Sequence, residues 1–206
     1  MKELKVLMIL AVTIGFVLAA CTPAAQPQEV PTTMPTDLPT VAPTSAPANG
    51  STLGSDPQNA TYLIDGQEVT LVNGVSEKEA APGSATKIVT KYFGNAVDID
   101  LNSDGLMDSG FLLTQDGGGS GTFFYVAAAL QTTGGYQGTN ALFLGDRIAP
   151  QSTNVDPNNP VQFIVNYADR KLSEPMSAPP SVAVSRTFKL DNGTLVEVGT
   201  PPTQTP

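Results

Sequence analysis

Histidine and tryptophan are absent from this 206-residue chain, and cysteine occurs once, at Cys21. Each absence removes a class of chemistry. Without histidine there is no Ser-His-Asp or Cys-His catalytic arrangement, and a zinc centre loses its usual nitrogen and sulfur ligands. A single cysteine closes no intramolecular disulfide, so any folded domain is held by burial and, where a site exists, by a metal. Basic residues are scarce as well: ten Lys+Arg stand against nineteen Asp+Glu, a formal net charge of −9. That balance argues against nucleic acid and anionic lipid surfaces as partners, because both are bound through cationic patches. Solvation of an exported domain accounts for the acidity.

The long apolar run stands at the start. Met1-Lys2-Glu3-Leu4-Lys5 carries two lysines, and Val6 to Ala20 follows without a charge. At about 1.5 Å per residue this run is short for a hydrocarbon core of roughly 30 Å, so residues 1–20 read as an export signal rather than an anchor helix. The junction Leu18-Ala19-Ala20-Cys21 resembles the lipobox of bacterial lipoproteins at all four positions. The resemblance implies that the Cys21 thiol receives a diacylglyceryl group and that the signal is cut on its N-terminal side. The chain is then held by its lipid on the cell membrane or outer membrane, facing the extracytoplasmic side. One acyl chain anchors only marginally, at about 0.8 kcal/mol per buried methylene, whereas two or three hold firmly. The competing reading is an ordinary thiol beside a generic cleavage site. Thr22 stands where lipoproteins retained in the inner membrane of two-membraned bacteria often carry aspartate, which points to the outer membrane or surface if the organism has two membranes.

From Thr22 to about Asn59 there is no aromatic, lysine or arginine, and proline recurs every fourth position from Pro23 to Pro47. Proline fixes φ and donates no hydrogen bond, so this stretch favours extended polyproline-like backbone and builds no core. Residues 21–58 therefore read as a lipidated tether, spanning on the order of 100 Å at about 3.1 Å per residue. Its threonine-proline composition also suits O-glycosylation or a proline-motif ligand. The aromatics beyond the signal lie between Tyr62 and Phe188, which bounds a single domain at 59–198, followed by a disordered tail at 199–206.

Within that domain the expected class is all-β, an antiparallel sandwich or barrel with room for one short helix. Asp65-Gly66, Asn73-Gly74 and Asn192-Gly193 are pairs that take the positive φ of tight hairpin turns, and apolar β-formers flank them. Short strands separated by Gly/Asn/Asp turns favour antiparallel sheets over a parallel α/β arrangement. Lys87 to Phe93 fits either a strand or a helical turn.

The constellation that carries chemistry is Asp98-Ile-Asp100-Leu-Asn102-Ser-Asp104-Gly105-Leu106-Met-Asp108. Oxygen side chains fall at positions 1, 3, 5 and 9 counted from Asp100, with glycine at 6 and a backbone carbonyl available at 7. Calcium wants six to eight oxygens at about 2.3–2.6 Å, and the glycine permits the bend that gathers them. The loop begins like an EF-hand but has Phe111 where that motif needs a bidentate glutamate. It is similar to the calcium loops of FG-GAP repeats, which implies ligation by Asp100, Asn102, Asp104, the Leu106 carbonyl and Asp108; Asp98, just upstream, is a further candidate ligand. The bland alternative is a solvated turn in which Asp and Asn cap their own backbone.

Gln115 to Thr122 and Gly134 to Gly138 are glycine-rich and read as hairpin connections, with Tyr136 as a candidate ligand contact. Carboxylate chemistry of the glycoside-hydrolase kind is open among Asp116, Asp146, Asp169 and Glu174, and a Ser–Lys dyad through Lys87, Lys91 or Lys171, though no spacing pairs any of them. From Tyr62 to Val198 the chain also resembles a group of uncharacterised bacterial secreted proteins and lipoproteins, through segments such as Tyr92-Phe-Gly-Asn95 and Gly145-Asp-Arg-Ile-Ala-Pro150. The resemblance implies no activity. The preferred expectation is a non-enzymatic, calcium-stabilised binding module for an envelope protein or glycan, with a carboxylate-dependent envelope hydrolase as the alternative.

Overall fold

A computed structural model describes residues 49–50 and 52–199; the export signal, Cys21, most of the expected tether and residues 200–206 lie outside the described residues. The described chain is nearly all β, with one 3-10 turn, Pro57–Asn59, capped by the Asp56 side chain. Twelve strands follow, and the glycine-containing turns set their order. β1 (Thr61–Ile64) returns as β2 (Gln67–Thr70) through Asp65 and Gly66, whose φ values of 48° and 76° are those a type I′ turn requires. Asn192 and Gly193 do the same, at 48° and 80°, between β11 (Val182–Asp191) and β12 (Thr194–Val198). Asn73 and Gly74 reverse the chain into β3 (Val75–Glu79). The ambiguous segment at Lys87 is a strand, the first half of the long β4 (Lys87–Ile99).

β4 and β5 (Asp108–Asp116), then β6 (Phe123–Thr132), form an antiparallel meander. β6 is shared by β7 (Gly135–Gly138) at one end and β8 (Asn140–Asp146) at the other. The large sheet runs β2-β1-β8-β6-β5-β4-β3 and curls into a nearly closed barrel. It is not purely antiparallel: β1 lies parallel to β8 over Leu63–Asn140 and Ile64–Ala141. The second sheet, β12-β11-β10-β9, contains β9 (Ala149–Asp156) and β10 (Asn159–Asp169).

Two apolar cores follow from this layering. Tyr62, Ile64, Leu71, Phe111, Leu113 and Tyr125 fill the barrel, with Tyr62 set edge-on to Phe111 at 5.5 Å between ring centroids. Leu112, Val126, Phe163, Val165, Phe188 and Leu195 belong to the second core, which joins the barrel wall to the small sheet. β5 and β6 contribute to both, which is why Phe111-Leu112-Leu113 and Ala127-Ala128-Ala129 are unbroken buried runs instead of alternating ones. Gly110 marks how closely the layers approach: a Cβ there would stand 3.0 Å from the Phe163 ring.

The fold begins earlier than composition suggests. Gly50 donates to the Gly138 carbonyl, and Gly54 exchanges both backbone hydrogen bonds with Tyr136, so part of the expected tether from Asn49 onward belongs to the domain. Small residues permit it. A Cβ on Gly50 or Gly54 would collide with the Thr61 or Asn59 carbonyl. A proline-based boundary could not register this, because the decisive feature is the lack of a side chain.

Polar side chains also stitch the layers. The Asn140 amide accepts from Leu195 N–H at 2.8 Å and donates to the Leu195 carbonyl at 3.0 Å, acting as an extra strand residue beside β12. Arg186 forks onto Glu197 at 2.8 and 2.6 Å, donates to the Phe143 carbonyl and lies over the Phe188 ring. Both side chains of that pair are little exposed, at 12% and 13%. Burial works against the Arg186 charge, but the hydrogen bonds to Glu197 and Tyr167 outweigh it and raise its pKa. Replacing Glu197 by Ala strands a mostly buried guanidinium and is expected to lower stability by about 3 kcal/mol. The joint change Arg186→Met with Glu197→Leu should recover most of that loss in urea denaturation.

Candidate functional site

The acidic loop connects β4 to β5 at one end of the barrel wall. Its first half is organised by its own side chains. Asp100 Oδ1 and Oδ2 accept from the Asp104 and Gly105 amides at 3.2 and 3.0 Å. Asn102 Oδ1 accepts from the Asp104 amide at 3.0 Å, and Asp104 Oδ1 from the Leu106 amide at 2.8 Å. Asn102 Nδ2 donates to Asp104 Oδ2 at 2.9 Å. Ser103 and Gly105 take positive φ, 61° and 85°, which tightens the turn around the Asp104 amide, from which Asp100 and Asn102 both accept.

Asp108 is different. It is 0% exposed at the start of β5, and its oxygens accept from the Leu101 amide at 2.9 Å and the Gln131 amide at 2.8 Å. It therefore ties both ends of the loop to the end of β6. Burial raises its pKa, the two amide bonds act in the opposite direction, and the charges of Asp104 and Asp100 raise it further. No lysine or arginine forms an ion pair with Asp100, Asp104 or Asp108 among the described residues. Nor do three or more carboxylates among them converge as ready metal ligands. Asp98 stands apart, exposed on β4 opposite Ser109, and its charge adds to burial in raising the Tyr92 phenol.

Of the remaining candidates, Asp169 accepts from the Arg170 amide and its carboxylate lies beside Gly145, next to Asp146 in the chain. Asp116 caps the Gly118 amide in the exposed β5–β6 connection, and Glu174 accepts from the Lys171 amide. Asp146 pairs with Arg147 and accepts from the Thr122 amide; burial opposes its charge, but these bonds to Arg147 and Thr122 outweigh that and hold its carboxyl below the usual range. Lys87 is engaged by Glu77 at 2.7 Å. Tyr136 is half-buried and packs against the barrel core, a structural aromatic instead of a free contact.

A concave site lies elsewhere, where sequence patterning carries no signal. Between β2 and β3 the barrel wall opens into a cleft of about 430 Å³. Ile64, Val69 and Ile88 supply its apolar surface, Gln67, Thr90 and Gln115 its uncharged polar one, and Asp65, Glu68, Glu77 and Lys78 its charged one. None of the four carboxylates singled out for hydrolysis lines it.

Comparison with known proteins returns no match among family models, curated proteins or solved structures.

Asp108→Ala leaves the Leu101 and Gln131 amides without an acceptor in a buried place, at a cost of about 2–4 kcal/mol. Hydrogen exchange at those two amides is expected to accelerate well beyond that of the distant Phe188 amide; equal protection in the variant would contradict the tie through Asp108.

Proposed function

We propose that this chain is a lipid-anchored extracytoplasmic protein whose β-domain is stabilised by calcium at the loop of residues 100–108 and acts as a binding module. One observation carries the calcium reading. Asp100, Asn102 and Asp104 are drawn into one tight turn by hydrogen bonds to its amides, and the buried Asp108 feels the charge of both aspartates and has no basic partner among the described residues.

A divalent cation would offset that repulsion. Asp100, Asn102, Asp104, the Leu106 carbonyl and Asp108 would hold it, and hydrogen bonding does not forbid this, because each carboxylate oxygen has a second lone pair. The role is structural: a cation there would fasten the β4–β5 connection to the end of β6. Anchoring rests on the lipobox, and the binding role rests on the acidic, histidine-free composition, the proline-rich spacer and the cleft. The hydrolase alternative gains nothing from the cleft, which none of its carboxylates lines.

Calcium at about 100 times its dissociation constant is expected to add about 2.7 kcal/mol to the stability of the wild-type domain. Asp104→Ala should abolish the accompanying rise in melting temperature. Identical melting of the wild type in calcium and in chelator would remove the metal from the proposal. In cells, Cys21→Ala is expected to shift the protein from the membrane pellet to the soluble fraction and to abolish incorporation of labelled palmitate; continued pelleting with label would refute the anchor.

A further inference from the structure

The cleft is walled by the two edges of one sheet. Among the described residues β2 and β3 each have a single strand neighbour, and they diverge from the turn in which Val72 and Val75 bridge. Hydrogen-bond alternation fixes which groups face the gap. On β3, the bonds from Tyr92 to Gly74 and from Ala80 to Thr86 place Ser76 and Lys78 in the bonded pairs with β4. The amides and carbonyls of Glu77 and Glu79 therefore turn away from β4, into the seam. On β2, the two-residue turn at Asp65-Gly66 and the bond from Leu71 to Ala60 place Gln67 and Val69 in the bonded pairs with β1. Thr70 then turns its backbone towards the same seam.

We infer that this seam receives an extended, lysine- or arginine-bearing peptide segment, which adds as a strand along the edge of β3 and fills the opening in the barrel. Three features select that occupant. Backbone donors and acceptors at an open sheet edge are the recognition element of strand addition, and alternate side chains of an added strand would reach the surface of Ile64, Val69 and Ile88. No aromatic lines the cleft to stack on a sugar ring, which disfavours a glycan. Charge completes the case: the lining acids Asp65, Glu68 and Glu77 stand against Lys78 and against Lys87, which pairs with Glu77 beside the cleft, and the chain as a whole carries −9. This inference deepens the binding role proposed above and specifies its partner class.

The test is titration of the full lipid-free domain with fluorescein-labelled acetyl-Lys-Val-Lys-Val-Lys-Val-amide, read by anisotropy and by amide chemical shifts. Saturable binding is expected, with shifts concentrated at Thr70, Glu77 and Glu79. At least tenfold weakening is expected for the peptide N-methylated at each valine, for its glutamate counterpart, and for the domain variants Ser76→Trp and Glu68→Gln with Glu77→Gln. The last pair changes exposed positions and leaves the core alone, although Glu77→Gln also removes the exposed ion pair with Lys87. Equal binding of the N-methylated peptide, equal binding by both variants, or no binding to the wild type would overturn the inference. Concentration-dependent dimerisation abolished by Ser76→Trp would overturn it too, by making a second copy the occupant. Pull-down of an envelope partner that Ser76→Trp leaves unchanged would sink the seam while sparing the broader binding role.

Discussion

The pairing of β5 with β6 is the constraint from which the rest follows. Both strands are buried on both faces, so each residue along Phe111–Leu113 and Ala127–Ala129 packs into one of two cores, the barrel interior or the layer shared with the small sheet. Neither core can be formed without this pair. The small side chains of β6 complement the large ones of β5, and Gly110 removes the last Cβ in the path of Phe163. Conversely, the pair has no solvent face of its own, and it is stable only when both flanks are covered. The Arg186–Glu197 fork and the Asn140 amide bond hold one of those flanks in register.

Much of this architecture is legible in the sequence, and for local reasons. Asp-Gly and Asn-Gly pairs tolerate positive φ, so residue identity alone locates the turns at Asp65, Asn73 and Asn192. The all-β class follows from their spacing. Other features are not legible because they depend on partners distant in sequence. The parallel step between β1 and β8 arises where the β7–β8 strand turns at Thr139, whose hydroxyl accepts from Ala128 and whose carbonyl accepts from Leu63. No short window contains those contacts. The early start at Asn49 is hidden for the opposite reason: its glycines look like linker residues until something is seen to press against them.

The candidate sites divide in the same way. The acidic loop announces itself because its ligand-type residues are contiguous, and its internal hydrogen bonds follow from Asx chemistry. What sequence cannot convey is that Asp108 faces inward as a tie between Leu101 and Gln131. The seam cleft is the reverse case. Its lining comes from β1, β2, β3, β4 and β5 and mixes aliphatic, uncharged polar and charged residues of no particular spacing, so only the curvature of the sheet gives those residues a common purpose.

The segment at Asn49 also determines how the domain responds to mechanical load. A pull on the chain from its N-terminal side reaches the fold through the bridge between Asn49 and Thr139, then the bond from Gly50 to Gly138, and then the pair at Gly54 and Tyr136. These attachments lie in series, so tension breaks them one at a time, as a zipper opens, before any strand of the barrel is sheared. The segment is thus a fuse: its release frees several residues at the N-terminal edge of the fold and spares both cores.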